Sequence, residues 1–180
     1  MSIRPILETL LNAKALFKWE SFDLQSLGLE PDETARDIYV SPSIMASVAP
    51  PFPFPDTEEG ERLAEFCAWL DVFVEGGELS VSEDPDNKPP ETMLARVHKI
   101  EDEFWSIRVT EPERTPGIRA FGAFVDTDEF VALTWTMRED IEIFNDEVAE
   151  AKAIWKDHFG SEIPHHGSTL NAYLTICSPV

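Results

Sequence analysis

Three arginines could bind a phosphate group together if the fold brings them to one place. Arg108, Arg119 and Arg138 stand in three successive apolar segments, in which aromatic and branched residues alternate with polar ones. Guanidinium groups form paired hydrogen bonds with phosphate and stabilise charge that develops on it. A structural interpretation is equally simple, because an arginine on each strand of a small sheet can pair with a carboxylate on the neighbouring strand. The sequence leaves both interpretations open.

Hydrophobic periodicity predicts the elements that would position these arginines. Alternation predicts strands at residues 103–109, 117–126 and 129–137, and the tight turn at residues 126–128 joins the last two as an antiparallel hairpin. Apolar spacings of three and four predict helices from about residue 57 to Gly76 and from about residue 140 to Gly160. A first helix is expected at residues 3–18 and a last strand at residues 172–177.

These elements predict an α+β fold with helices packed on a small antiparallel sheet. Four prolines in residues 49–56 exclude a helix or a central strand there, because proline fixes the backbone and lacks a donor. We therefore expect an N-terminal helical and irregular extension at residues 1–48, a proline-rich connector at residues 49–56, and an α+β core domain at residues 57–180.

The charge of the chain is its most unusual property. The 180 residues include 35 Asp and Glu against 14 Lys and Arg, which gives a formal net charge of -21. Such a field repels phosphate backbones and anionic membranes and attracts basic surfaces. Direct nucleic-acid binding is therefore not expected, and a basic protein or nucleoprotein is the expected partner. The candidate partner-binding residues lie in the acidic turn and after the third strand: Asp126, Asp128, Glu129, Glu139, Asp140 and Glu142.

Several other classes of protein are not favoured by the sequence. No run of about 18 apolar residues could span a membrane, and the first residues do not have the pattern of a secretory signal. Cys67 and Cys177 are the only cysteines, which favours buried thiols in a reducing cytoplasm over a disulfide framework. No glycine-rich nucleotide motif is present, and the spacing of His158, His165 and His166 fits no zinc pattern. We expect neither a cofactor nor a metal.

Five short segments follow one another in the second half of the chain: FWSIR, which ends in Arg108, GIRAF, which carries Arg119, the acidic turn VDTDEF, the apolar VALTW, and TMRE, which carries Arg138. With this pattern, residues 60–145 resemble the RelE/ParE superfamily of toxins from toxin-antitoxin modules. It implies a RelE-like core. In members that are ribosome-dependent ribonucleases, an RNA 2'-hydroxyl attacks the adjacent phosphate, and the resemblance implies that Arg108, Arg119 and Arg138 would be the catalytic cations.

Two functions follow from these features, and a housekeeping domain with neither activity is a third possibility. The first is an acidic cytoplasmic binding or inhibitor protein, of the kind carried by phages and mobile elements, whose carboxylate-rich surface engages a basic nucleic-acid-handling partner. The alternative is a RelE-like messenger RNA endonuclease. Phe144 favours the first, because it stands near the position where many of these ribonucleases have a tyrosine and cannot exchange a proton. A homodimer is compatible with either function.

Overall fold

An eight-stranded mixed sheet forms the centre of the fold. The computed structural model describes residues 3–21, 35–49, 54–110 and 117–180. Its strands are β1 (Phe17–Lys18), β2 (Asp37–Val40), β3 (Leu79–Ser82), β4 (Leu94–Arg96), β5 (Phe104–Val109), β6 (Ile118–Asp126), β7 (Glu129–Met137) and β8 (Cys177–Pro179). They are ordered β1-β2-β7-β6-β5-β4-β3-β8. The α+β class is confirmed, but the prediction of a small antiparallel sheet is wrong, because β2 runs parallel to β7, and β3 runs parallel to both β4 and β8.

Helices cover both faces of this sheet. The helices are α1 (Ile3–Asn12), α2 (Pro42–Val48), α3 (Glu58–Val74) and α4 (Phe144–Phe159). One core lies between the sheet and α2 and α3, and a second core lies between the sheet and α1 and α4. Because both faces are buried, the central strands are apolar almost throughout, as the near-continuous burial of β6 shows.

The elements with the clearest periodicity form within a few residues of their expected positions. The strands β5, β6 and β7 form an antiparallel meander that includes the expected hairpin of β6 and β7, with Asp128 in the turn at a φ of 60°. Thr57 is the N-cap of α3, and its hydroxyl accepts a hydrogen bond from the amide of Gly60 at 3.1 Å. This cap lies at the expected start of the helix, about residue 57.

Two terminal elements differ from their expected positions. The first helix ends at Asn12 instead of residue 18, because the chain turns through Lys14 at a φ of 56° and pairs Phe17 with Val40 of β2. The last strand lies at Cys177–Pro179, and residues 170–172 form a 3-10 turn. Tyr173 is fully buried there because its ring packs against Trp105 and Phe124.

The predicted domain boundaries stay a prediction. Strands β1 and β2, which lie in the expected N-terminal extension, belong to the same sheet as the strands of the expected core. Residues 50–53 of the expected proline-rich connector lie outside the described residues. In the parts of the chain that the structure describes, every helix is too short or too polar to cross a lipid bilayer.

Candidate functional site: a basic cluster at the end of the meander

The meander brings Arg108, Arg119 and Arg138 together. Arg108 of β5 is directly paired with Arg119 of β6, so both side chains point to the face covered by α1 and α4. Arg138 follows the end of β7, and its amide donates to the carbonyl of Gly117 at 2.8 Å. Burial is the largest cause of the lowered pKa of both Arg108 and Arg119, and repulsion from Arg138 adds to it.

Arg119 is the most buried member of this group. It is only 9% exposed, and its Nη1 donates to the carbonyl of Ile118 at 2.9 Å and to that of Val109 at 3.5 Å. Burial, followed by repulsion from Arg108 and Arg138, lowers the pKa of Arg119 to about 10. The guanidinium is still protonated at neutral pH, so the fold keeps a buried positive charge next to two others.

Lys88 is a fourth cation, which the sequence did not single out. Its Nζ lies 5.3 Å from the ring centre of Phe144, the first residue of α4. Burial and repulsion from Arg108 and Arg119 lower the pKa of Lys88, and Asp84 and Asp86 oppose this only in part. Lys88 lies in a proline-bearing acidic loop without periodicity, so no local signal links it to the arginines. Together Lys88, Arg108, Arg119 and Arg138 form the basic cluster.

Among the residues that the structure describes, the members of the basic cluster have no carboxylate partner, unlike the other arginines. Every other arginine that the structure describes forms an ion pair: Arg4 with Glu129, Arg36 with Asp128, Arg62 with Glu139, and Arg96 with Glu103. Within the described ranges, no carboxylate oxygen lies within 4.0 Å of a nitrogen of the basic cluster. Pairing with a described aspartate or glutamate on a neighbouring strand therefore does not explain these four residues.

Glu139, the carboxylate next to Arg138 in sequence, pairs with a different arginine. Although Glu139 is adjacent to Arg138 in sequence, its carboxylate bonds to Arg62 of α3. The hydrogen bond from Arg62 lowers the pKa of Glu139. Arg138 itself is exposed, so its charge faces solvent.

Most of the acidic residues expected to bind a partner form contacts within the chain. Asp126 and Glu129 lie near Arg4 at 3.7 and 2.7 Å. Asp128 pairs with Arg36 and accepts hydrogen bonds from the amide and the hydroxyl of Thr175. Asp140 and Glu142 are exposed and form no ion pair with a described residue. The acidic turn thus attaches α1 and the C-terminal segment to the sheet.

Chemically, the basic cluster is suited to an anion. Three arginines provide planar groups of donors, and Lys88 adds a point charge beside the amino-terminal end of α4, where helix amides are positively polarised.

The described parts of the chain contain no group of three histidine, cysteine or carboxylate side chains arranged to hold a metal. Comparison of the chain with known proteins finds no matching family model, no matching curated protein and no matching solved structure.

Proposed function

We propose that this protein binds a phosphate-bearing ligand at the basic cluster. One observation carries the proposal: in a chain with 35 acidic residues, the described arginines outside the cluster are all paired, and those inside it form no ion pair with any carboxylate of the described residues. Keeping like charges together without counterions destabilises a fold unless a ligand uses them. The resemblance to the RelE/ParE superfamily suggests that the ligand is the backbone of messenger RNA on the ribosome.

In that reaction the cluster would stabilise the charge that develops on the phosphate. Arg108, Arg119 and Arg138 would bind its oxygens, because Arg108 and Arg119 are paired across β5 and β6 and the backbone of Arg138 bonds to Gly117 just before β6. Phe144 cannot move a proton, but Lys88 lies against its ring, and burial together with the neighbouring arginines lowers the pKa of Lys88. Lys88 is therefore the member of the cluster best suited to proton transfer.

A cell-free translation reaction tests this proposal. The purified protein is added, the message is mapped for cuts, and ribosomes are sedimented to detect bound protein. We expect cuts that disappear in Arg138→Ala and persist in Lys14→Ala, since Lys14 is exposed and lies outside the cluster. An intact message with ribosome-bound protein would mean binding without cleavage. An intact message, no co-sedimentation and no stabilisation by phosphate would overturn the proposal.

The second candidate function is an acidic protein that engages a basic partner. It is favoured by the outer faces of α3 and α4, where most of the carboxylates are exposed and only Glu58 is held in an ion pair: Glu58, Glu59, Glu61, Glu65, Asp146, Glu150 and Asp157. Association with a basic partner should weaken steeply with added salt. Replacing Glu59 and Glu61 by glutamine should weaken it further, whereas Arg138→Ala should not.

A further inference from the structure

Glu103 is a buried carboxylate at the opposite end of α4 from the basic cluster. It is 4% exposed, and its Oε2 accepts hydrogen bonds from Nη2 of Arg96 and from the hydroxyl of Tyr173, the latter at 2.7 Å. Its other oxygen, Oε1, contacts Nδ1 of His166, which is 63 residues away in sequence. Burial by itself would raise the pKa of Glu103, but the hydrogen bonds from Tyr173, His166 and Arg96 outweigh it and lower that pKa. The carboxylate is therefore ionised at neutral pH.

The backbone of Glu103 has a conformation that does not favour a glutamate. Glu103 ends the 3-10 turn at Ile100–Asp102, and its φ of 59° lies in the left-handed region. A glycine or an asparagine would adopt this conformation at lower cost. The turn itself is therefore not the reason for a glutamate at this position, whereas the hydrogen bonds of its side chain are.

Glu103 holds the ring of His166 in one tautomer. An ionised carboxylate can only accept hydrogen bonds, so Nδ1 of His166 carries the proton that it donates to Glu103. In the neutral ring, Nε2 then has a free lone pair. The side chain of His166 is 69% exposed, and no described residue bonds to its Nε2. A carboxylate that orients an imidazole in this way is the arrangement of a general base and its positioning residue.

The segment that carries His166 is held by further contacts. The amide of Gly167 donates a hydrogen bond to the hydroxyl of Tyr173 at 2.8 Å, and Nε2 of His165 lies 2.9 Å from the carbonyl oxygen of Ala172. Tyr173 is itself fully buried. The imidazole of His166 is thus fixed both through its own Nδ1 and through the backbone next to it, and a catalytic group needs such support to keep its geometry.

His166 lines a cavity of about 430 Å³. Phe104 and Trp155 form apolar parts of the cavity wall, and their rings pack edge to face. The charge of Lys152, which also lines the cavity, is used within the chain, because its Nζ lies 2.6 Å from Asp102. A partly apolar cavity with a base at its wall is suited to an organic molecule that reacts by losing or gaining a proton.

We propose that His166 is the general base of a second site, which hydrolyses carboxylic esters that carry apolar groups. Nε2 takes a proton from a water molecule while the water oxygen bonds to the carbonyl carbon of the ester. The bond between that carbon and the alcohol oxygen then breaks, and the imidazolium returns the proton to the departing alcohol. The products are a carboxylic acid and an alcohol, and water is the co-reactant. Glu103 does not touch the ester; it is a positioning residue whose negative charge stabilises the imidazolium.

The cavity favours a neutral carboxylic ester over a phosphate ester. The carboxylate of Glu101 lines it within a chain of net charge -21, so an anionic phosphate ester is repelled. Lys156 also lines the cavity and forms no ion pair with a described residue, so its charge can stabilise the oxyanion that forms on the carbonyl oxygen. This site is separate from the basic cluster and does not depend on the function proposed there.

Hydrolysis of para-nitrophenyl butyrate, followed by the release of nitrophenolate, tests the proposal. The native protein should hydrolyse this ester at least about a hundredfold faster than the same concentration of free imidazole. His166→Gln should remove this excess without affecting folding, because the side chain of His166 is largely in solvent. His98→Gln is the matched control and should keep full activity, since His98 is also an exposed histidine beside a carboxylate, that of Asp86, but does not line the cavity.

The tautomer of His166 tests the role of Glu103 separately. The nitrogen chemical shifts of a histidine ring distinguish a protonated from an unprotonated nitrogen, and in the native protein we expect the proton on Nδ1. Glu103→Gln should move the proton towards Nε2, because an amide can donate to Nδ1, and should lower kcat at least about tenfold with little change in KM. The proposal would be overturned by a rate no higher than that of imidazole, by equal losses in His166→Gln and His98→Gln, or by a native His166 with its proton on Nε2.

Discussion

Replacing Arg138 by glutamine should stabilise the free protein and remove its response to phosphate. The pKa of Arg119 is lowered from its ordinary value to about 10, so the folded chain binds this proton less favourably than the unfolded chain by about 3 kcal/mol. Burial is the largest cause, and Arg138 is the smallest of the three. At pH 7 both arginines are charged in the folded and the unfolded chain, and they repel each other closely only when folded. We therefore expect Arg138→Gln to raise the free energy of unfolding by about 0.5 kcal/mol.

In phosphate the native chain should become more stable than Arg138→Gln, which reverses their order of stability without phosphate. At a phosphate concentration about a hundred times the dissociation constant, binding raises the free energy of unfolding by about 2.7 kcal/mol. For a chain of this length that corresponds to a rise in Tm of about 5 to 11 °C. Arg138→Gln should lose most of this rise, because Arg138 is the exposed member of the basic cluster and therefore the most accessible to a ligand.

Thermal unfolding followed by circular dichroism, in chloride and in phosphate at equal ionic strength, measures both effects. Phosphate also stabilises proteins in general by exclusion from their surfaces. Lys14→Gln is the control for that contribution, because it also removes one positive charge, from an exposed lysine outside the cluster. The reasoning would be refuted if phosphate raised the Tm of all three proteins equally, or if Arg138→Gln were less stable than the native chain in chloride.

Three further predictions concern buried residues of the fold. Arg36→Met should lower the free energy of unfolding, measured in urea, by about 3 to 5 kcal/mol, because it leaves Asp128 and the carbonyls of Phe73 and Gly77 without the buried guanidinium that they bind. A loss below about 1 kcal/mol would contradict this. Since the folded-state pKa of Glu103 lies below its ordinary value, its contribution to the free energy of unfolding is present above about pH 4.5 and disappears as the pH falls through the lowered value. Glu103→Gln should flatten this part of the profile of stability against pH, and an unchanged slope would argue against an ionised Glu103. Gly122→Ala should destabilise the chain by about 3 kcal/mol or more, because its Cβ would lie 1.9 Å from the carbonyl oxygen of Val131; a thermal shift below about 2 °C would show that the meander accommodates the methyl group.

The sequence alone predicts the local elements around the basic cluster. Period-two alternation in residues 103–137 and the turn at residues 126–128 determine the β5–β6–β7 meander, and the register of that meander places Arg108 opposite Arg119. Apolar residues at spacings of three and four likewise predict α3 and most of α4. These predictions succeed because they depend on neighbours in sequence, whose side-chain directions follow from the backbone period.

Only the tertiary structure decides which distant groups meet. The parallel pairing of β2 with β7 leaves no trace in periodicity, since strands buried on both faces read alike whatever their partner. Lys88 joins the basic cluster, Glu139 bonds to Arg62 instead of Arg138, and Glu103 binds His166, each through a contact between segments far apart in the chain. Such contacts depend on how loops close and helices pack, so the same residue types could have given paired arginines and an unanchored histidine.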